Sequence, residues 1–558
     1  MNLNVVYCII IGIRGDILEN KKKRKFKKGI LFAIPLLIIY YIVSAYFVNE
    51  IYYYNSSKSI MTYLVYGSIF LSGLLIVIFT FYTFKAIKKN KLKSYILLFL
   101  FLIIFGSTQY FVTYNINKVS SSIKKVTNNY TTYGTSLITK KDSNYKSIND
   151  ISNKKIGIIS DTKNIEGYII AKEIIEEQKI KTENLEYYDD FVEMLNALYD
   201  NEIAACFVSS NFGSMFATTE GFEDIKNEVI VIKSKEKTIE KEKSLSSKKL
   251  TDPFTLLVLG VDSDSGTLAK SSSLNGDTIM LITFNPKTSN ATILSIPRDT
   301  YVPIACNKYY KNKINAAAFG GTTCMIDTIE NLTGIEIDYW VKINFNGVIS
   351  LVDALGGIEV DVPYAFCESD SKRRFGKHTV YVEKGLQTLN GEQALAFARN
   401  RHTWPKYCGK KYSNYTSNDF VRGQNQQQIV KACVNKLKNI NSLTRIYDLL
   451  DVVGDNIDTN IDKDTMITGF DTFTTILANS KNINSDDFIG TQRLYLSGYD
   501  KMLNGIYYYG YYKQSLDEIT TAMKINLEIE EPNMDKEFSF SINNPYEDTQ
   551  IGKGTYKY

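Results

Sequence analysis

Two histidines among 558 residues leave histidine-based hydrolysis thinly supplied. Ser/His/Asp and Cys/His nucleophiles need an imidazole base, and a zinc site draws on clustered Cys and His. No CxxC pair or Cys/His cluster occurs, and no Walker-type glycine-rich phosphate loop is present. The chain also lacks a broadly basic domain. It nets +5, yet twelve positive residues sit in two short clusters, Lys21 to Lys28 and Lys85 to Lys93, so the remainder nets −7. Nucleic-acid binding leaves a basic domain or stripe, so no nucleic-acid partner is expected, and the two clusters read as topology signals.

Long apolar runs are present. Gly29 to Val48, Ile60 to Phe84 and Ser94 to Val112 are each long enough to cross roughly 30 Å of hydrocarbon as helices. Short cytoplasmic segments collect Lys and Arg, and the loop NEIYYYNSSK between the first two runs holds one Lys. The expected topology is a multi-pass cytoplasmic-membrane protein with its amino terminus inside and everything after about Tyr114 outside. The opening MNLNVVYCIIIGI is too short to span. Of seven cysteines, six fall on the expected outer side, where disulfides persist. Cys306 with Cys324, and Cys367 with Cys408, each bracket one insertion-like segment and are expected neighbours, although spacing alone leaves the connectivity open. Cys206 and Cys433 read as free buried thiols.

The domain plan is a basic cytoplasmic amino terminus at 1–28, three transmembrane helices at 29–114, and a polar linker at 115–149. A small accessory α/β domain follows at 150–232, then a charged linker at 233–252 that holds little to bury, a larger α/β/α sandwich at 253–530, and a disordered polar tail at 531–558. In the accessory unit, Lys155 to Ser160 reads as a strand, Ile165 to Gln178 and Phe191 to Tyr199 as helices, and Ile203 to Val208 as a strand. That order resembles one lobe of an extracellular solute-binding protein. In the larger unit, Phe254 to Val261, Thr278 to Phe284 and Ala291 to Ile296 read as strands buried on both faces. Ala316 to Leu332, Val348 to Leu355, Gly391 to Ala398 and Phe420 to Leu437 read as helices, the second ending at Gly356-Gly357.

Carboxylates and arginines recur in a fixed order along that framework. Asp262 follows one buried strand and Asp277 precedes the next, so pairing would bring both to one sheet edge, where two hard oxygens suit Mg²⁺. Arg298 follows a third strand, and Arg399, Arg401 and Arg422 come from helical segments. Converging guanidiniums match pyrophosphate oxygens bidentately. Ligands of open α/β sheets bind at the carboxyl ends of strands, so an Mg²⁺ and pyrophosphate site is expected there.

At these residues the chain resembles the LytR-CpsA-Psr family of cell-envelope proteins. The matching elements are GVD at 260–262, GDT at 276–278, SIPRDTYV at 295–302, KINAA at 313–317, LVDALGGIEVDV at 351–362, LNGEQALAFARNR at 389–401 and DFVRGQNQ at 419–426. Three preceding spans and an extra outer module further resemble its capsule-type members. The resemblance implies a transferase that moves a glycopolymer, of teichoic acid or capsular polysaccharide type, from an undecaprenyl-pyrophosphate carrier to peptidoglycan. It implies Asp262 and Asp277 at Mg²⁺ (or Mn²⁺), with Arg298, Lys313, Arg399, Arg401, Arg422 and Gln426 around the pyrophosphate. Asp277, Arg298 and Asp299 are the expected catalytic positions, and Asp419 is a second candidate base beside Asp299. Two positions depart from the family pattern, which has Arg where this chain has Asn275 and Asn425. The alternatives are a polyprenyl-pyrophosphate phosphatase and a non-catalytic membrane sensor or scaffold.

Overall fold

The computed structural model describes residues 30–54, 60–126, 130–216, 219, 221–240, 248–262, 275–416, 418–437, 443–462, 465–466, 469, 472–473, 476, 489–503 and 505–531. The basic amino terminus and the polar tail from residue 532 lie outside these. The chain divides into two compact units, Met1–Lys118 and Val119–Tyr558.

In the first unit, three helices are long and apolar enough to cross a membrane: Ile30–Tyr52, Val65–Lys89 and Leu92–Lys118. Ser44, Ser72 and Gln109 are buried between them. Ser44 Oγ donates to Gln109 Oε1 at 2.9 Å, and Gln109 Nε2 donates to Ser72 Oγ at 3.0 Å, so one buried amide ties all three helices together.

The second unit begins with a five-stranded sheet made of β1 (Tyr130–Lys140), β2 (Ile156–Ile159), β3 (Leu185–Tyr188), β4 (Ala205–Ser209) and β5 (Val229–Glu240), in the order β3-β2-β4-β1-β5. Two boundaries expected from composition move here. The segment read as a linker, 115–149, carries β1 and the end of a helix, and the segment read as charged linker from 233 carries most of β5. The two strands pair with each other from Tyr130↔Glu240 to Lys140↔Val229, so backbone pairing overrides a polar composition that periodicity does not flag.

A six-stranded mixed sheet follows. Its members are β6 (Phe254–Asp262), β7 (Asn275–Asn285), β8 (Asn290–Ser295) and, past the short hairpin β9 (Tyr301–Pro303) and β10 (Lys311–Lys313), β11 (Tyr339–Asn344). Ile457–Thr459 and Gly490–Tyr495 form its two edges. β11 runs parallel to β6, and Gly490–Tyr495 runs parallel to β8, while β7 is antiparallel to both of its neighbours. The carboxyl ends of β6, β8, β11 and Gly490–Tyr495 therefore share one sheet edge. Odd-numbered residues of β6 and β7, among them Leu257, Leu259, Ile279 and Leu281, pack with the helices Gly321–Thr333 and Lys513–Asn526. The helices Phe345–Ala354, Gly391–Arg399 and Asp419–Leu437 build a second core with the hairpin Ile358–Val362 and Gly385–Leu389. The result is the α/β/α layering.

The helix expected at Ala316 to Leu332 is split. Ile314–Gly320 is 3₁₀, and Gly321, at φ +84°, restarts the chain as an α-helix. Both expected disulfides form, Cys306–Cys324 with a Cα–Cα distance of 5.4 Å and Cys367–Cys408 at 6.2 Å. Cys206 and Cys433 are free thiols, and burial pushes the thiol of Cys433 up to about 12.

The lobe docks on the larger domain through the segments that flank β10. Phe319 packs against the lobe's Phe191 and Phe216 with ring centroids 6.1 and 5.3 Å apart, and Lys308 pairs with Asp189 at 2.6 Å. Next to Phe319, Gly320 lies against the first disulfide. An added Cβ would collide with Cys306 Sγ and sit 2.8 Å from Cys324 Cβ. Gly320→Ala is expected to destabilise the domain by about 2 kcal/mol through overpacking, and the loss should shrink in a Cys306→Ala/Cys324→Ala background, which removes both sulfurs and keeps the Cβ of residue 324. Denaturant titration of the four proteins checks this.

Candidate functional site

Local structure delivers the arginines to the shared sheet edge. Arg298 lies three residues past the end of β8 and is buried, at 8% exposure. Gly391–Arg399 starts at an Asn390 capping box and ends at Arg399, with Arg401 two residues on. Arg422 lies in the first turns of Asp419–Leu437, and that helix is pinned by buried Gln427. Its Nε2 donates to Ser295 Oγ at 2.9 Å and to the carbonyls of Ile293 and Leu494, both at 3.2 Å. Gln426 Nε2 donates to the Ala398 carbonyl at 3.1 Å and ties this helix to the one that carries Arg399.

These side chains line a cleft of about 300 Å³. The lining includes Arg298, Arg373, Arg399, Arg401 and Arg422 against one carboxylate, Glu368, so among described lining residues five guanidiniums face a single acid. One wall is apolar, built from Ile343, Phe345, Val348, Leu395 and Ala398. The Arg399 guanidinium lies 5.1 Å over the Phe345 ring, and Asn344 caps the Phe345 helix by accepting from Gly347 N at 2.8 Å.

Asp419 stands among three of the arginines. Its oxygens are 3.4 Å from Arg422, 3.8 Å from Arg298 and 3.9 Å from Arg401, all longer than a charge-assisted hydrogen bond. It neighbours Arg298 in a small water-sized pocket of about 20 Å³. Asp299 and Lys313, both expected in the site, line neither space. They pair with each other at 2.8 Å, and Asp299 lies 3.7 Å from Arg298 Nε. Asp299 is thus placed to hold cations.

The backbones of Asp262 and Asp277 meet as the strand order requires. Asp262 is opposite Asn275, while Gly260 faces Thr278 and Val261 faces Gly276, so Asp277 is the extra residue of a β-bulge. Gly260 is needed there, because a Cβ would come within 2.8 Å of Thr278 Cβ. The side chains of Asp262, Asp277 and Asn275 lie outside the described residues. The departure at Asn425 has a structural meaning, since it is buried and its Nδ2 donates to the Phe397 carbonyl at 3.2 Å.

Sequence reading missed Glu368, Arg373, Phe375, His402 and Trp404. All come from two irregular segments joined by Cys367–Cys408, and the bracketing cysteines were the one signal that these segments fold together. Burial, and then the adjacent Arg401 charge, hold the His402 imidazole below its ordinary value.

A family model described as the LytR_cpsA_psr family matches residues 222–525. The polyisoprenyl-teichoic acid–peptidoglycan teichoic acid transferase TagU of Bacillus subtilis (strain 168) is 36% identical over 295 residues, which cover 53% of this chain and 83% of that protein. The transferase of the same name from Bacillus licheniformis is 35% identical over 280 residues, 50% of this chain and 78% of that protein. TagT of Bacillus subtilis (strain 168) is 31% identical over 276 residues, 50% and 77% of the two chains. The match spans both the six-stranded sheet and the arginine cleft, and the chain belongs to the LytR_cpsA_psr family.

Proposed function

We propose that this protein is a phosphotransferase that moves a glycopolymer, of teichoic acid or capsular polysaccharide type, from a polyprenyl-pyrophosphate carrier to peptidoglycan at the outer face of the cytoplasmic membrane. The observation that carries this reading is the cleft at the carboxyl ends of parallel strands, whose described lining sets five guanidiniums against one carboxylate and adds a group of apolar side chains. A pyrophosphate esterified to an isoprenoid and a sugar needs that combination of dense positive charge and apolar wall. The names of the relatives, which specify polyisoprenyl-linked teichoic acid and peptidoglycan, support the same substrates. The lysine clusters at the span ends support an inside amino terminus.

In the proposed reaction, a peptidoglycan sugar hydroxyl attacks the phosphorus that bears the saccharide. An O–P bond forms, the bridging P–O bond of the pyrophosphate breaks, and polyprenyl phosphate leaves. The hydroxyl proton passes to a carboxylate at the same sheet edge, and Asp419, which borders the small pocket beside Arg298, is the position we assign to it. Arg298, Arg399, Arg401 and Arg422 hold the phosphate oxygens and stabilise the charge that collects on the leaving group. Asp299, committed to Lys313, orients the Arg298 side of the clamp. Asp262 and Asp277 are the residues that would hold a divalent ion such as Mg²⁺ or Mn²⁺, a reading supported by the backbone register, which sets the two positions on adjacent strands at one sheet edge. When bound, the ion would neutralise pyrophosphate charge.

The test is transfer of radiolabelled polyprenyl-pyrophosphate-linked saccharide to peptidoglycan oligomers by the full chain in detergent micelles, with and without Mg²⁺. We expect metal-dependent labelling of the acceptor, and about a hundredfold loss of kcat/KM in Arg298→Ala. Label released only as free sugar phosphate would make the protein a phosphatase, and no turnover would leave a sensor or scaffold. Lys313→Ala should cost less than about tenfold, because Lys313 acts through Asp299. Asp277→Ala should abolish both turnover and its dependence on added metal. Unchanged polymer attachment in cells carrying Asp277→Ala would overturn the enzymatic reading.

A further inference from the structure

We propose that Phe375 and Trp404 form a sugar-stacking subsite of the cleft, where the saccharide bonded to the pyrophosphate lays a pyranose ring. The inference rests on the pyrophosphate reading above and adds which part of the cleft takes the saccharide.

The two walls of the cleft differ chemically. Ile343, Phe345, Val348 and Leu395 offer no side-chain hydrogen-bonding group, as an isoprenoid chain requires. Other lining residues combine the rings of Phe375 and Trp404 with Glu368, Ser369 and His402. A pyranose has apolar C–H faces and a polar hydroxyl rim, and it satisfies both kinds of group at once. A hydrocarbon chain laid there would take water from the Glu368 carboxylate and the His402 ring and offer no polar contact in its place.

The rings are held in place before any ligand arrives. Trp404 Nε1 donates to Glu368 Oε2 at 3.1 Å, and Glu368, at 6% exposure, also accepts from Ser369 N at 2.9 Å and Asn400 Nδ2 at 3.4 Å. Phe375 lies 5.1 Å from Trp404 and stacks on Tyr407 at 4.2 Å with 13° between the ring planes. Tyr407 does not line the cleft, so it backs Phe375. Cys367–Cys408 joins the two segments that carry these rings. Arg399 donates to Ser369 Oγ at 2.8 Å, which couples the aromatic wall to the phosphate clamp. Rings fixed in this way lose little freedom on binding, so their stacking is fully available to the ligand.

Two probes separate sugar from lipid: a short-chain prenyl pyrophosphate, and the same compound carrying N-acetylglucosamine on its terminal phosphate. Binding of each to the full chain in micelles is measured by calorimetry. We expect Phe375→Leu, which removes the ring and keeps apolar volume, and Trp404→Ala each to weaken the sugar-bearing probe about tenfold. The sugar-free probe should bind these variants within about twofold of wild type, and Trp404→Phe should keep most of the sugar affinity. Equal losses on both probes would assign the rings to the isoprenoid chain, and no loss on either would leave them as fold elements; both outcomes overturn the proposal. Arg298→Ala should weaken both probes alike. A wild type that binds neither probe overturns the pyrophosphate reading and the subsite with it, whereas intact pyrophosphate binding without sugar selectivity overturns the subsite alone.

Discussion

Five guanidinium groups around one cleft repel one another, and much of the surrounding structure serves to keep them there. At protein-surface dielectric, two unit charges 4 Å apart cost about 4 kcal/mol, so convergence without compensation would open the site. Compensation comes from carboxylates spaced through the cluster. Asp419 is shared by Arg298, Arg401 and Arg422, Asp299 joins Arg298 to Lys313, and Glu368 lies 3.9 Å from Arg399. The contacts to Asp419 and Glu368 are loose, so a ligand phosphate with shorter, charge-assisted bonds would compete for the same donors. The balance leaves excess positive charge in the cleft while the domain stays folded.

Holding the carriers is a matter of sheet topology. One antiparallel strand, β7, separates β6 from β8, and parallel partners extend the sheet on each side, so four strands end at the same edge. The loop after β8 and the turns into the helices Phe345–Ala354 and Asp419–Leu437 all arrive there. Gln427 then fixes the last of these helices by bonding two strands with one amide. A side chain that touches no ligand thereby sets where Arg422 and Gln426 stand.

The parts that were legible in the sequence are those with strong local patterns. Apolar runs gave β6 to β8 and located the three apolar helices, whose carboxyl ends run four, five and six residues further than the apolar runs, and Gly356 and Gly357, both at positive φ, marked the helix end. The clamp arginines were legible because they flank those elements. β1 and β5 were not, because their polar, Tyr- and Lys-rich strands are held by each other, and only long-range pairing reveals them. The split at Gly320 was hidden in the same way, since a helical spacing of apolar residues says nothing about a disulfide that forces close approach. Lys313 and Asp299 were placed in the site by motif order, yet their own ion pair accounts for both.

Asn425, one of the two positions where asparagine replaces an expected arginine, gains a different meaning from the geometry. Asn425 faces the neighbouring helix, where it bonds the Phe397 carbonyl, and the cleft lining excludes it. A guanidinium there would have to be buried between two helices, at 1% exposure in the present packing. The fifth cation of the cleft is instead Arg373, delivered by a segment that no family motif covers. Asp370 clips that segment into a turn by accepting from the backbone of Lys372 at 3.1 Å and Arg374 at 2.8 Å, and from the Arg374 side chain at 2.7 Å. Arg373, at φ +59°, occupies the left-handed corner of the turn and reaches the cleft beside Phe345. Positive charge in the cleft thus comes partly from the disulfide-bracketed insertion, the same segment that supplies Phe375. Variation in such a segment would change the charge and the aromatic part of the lining together.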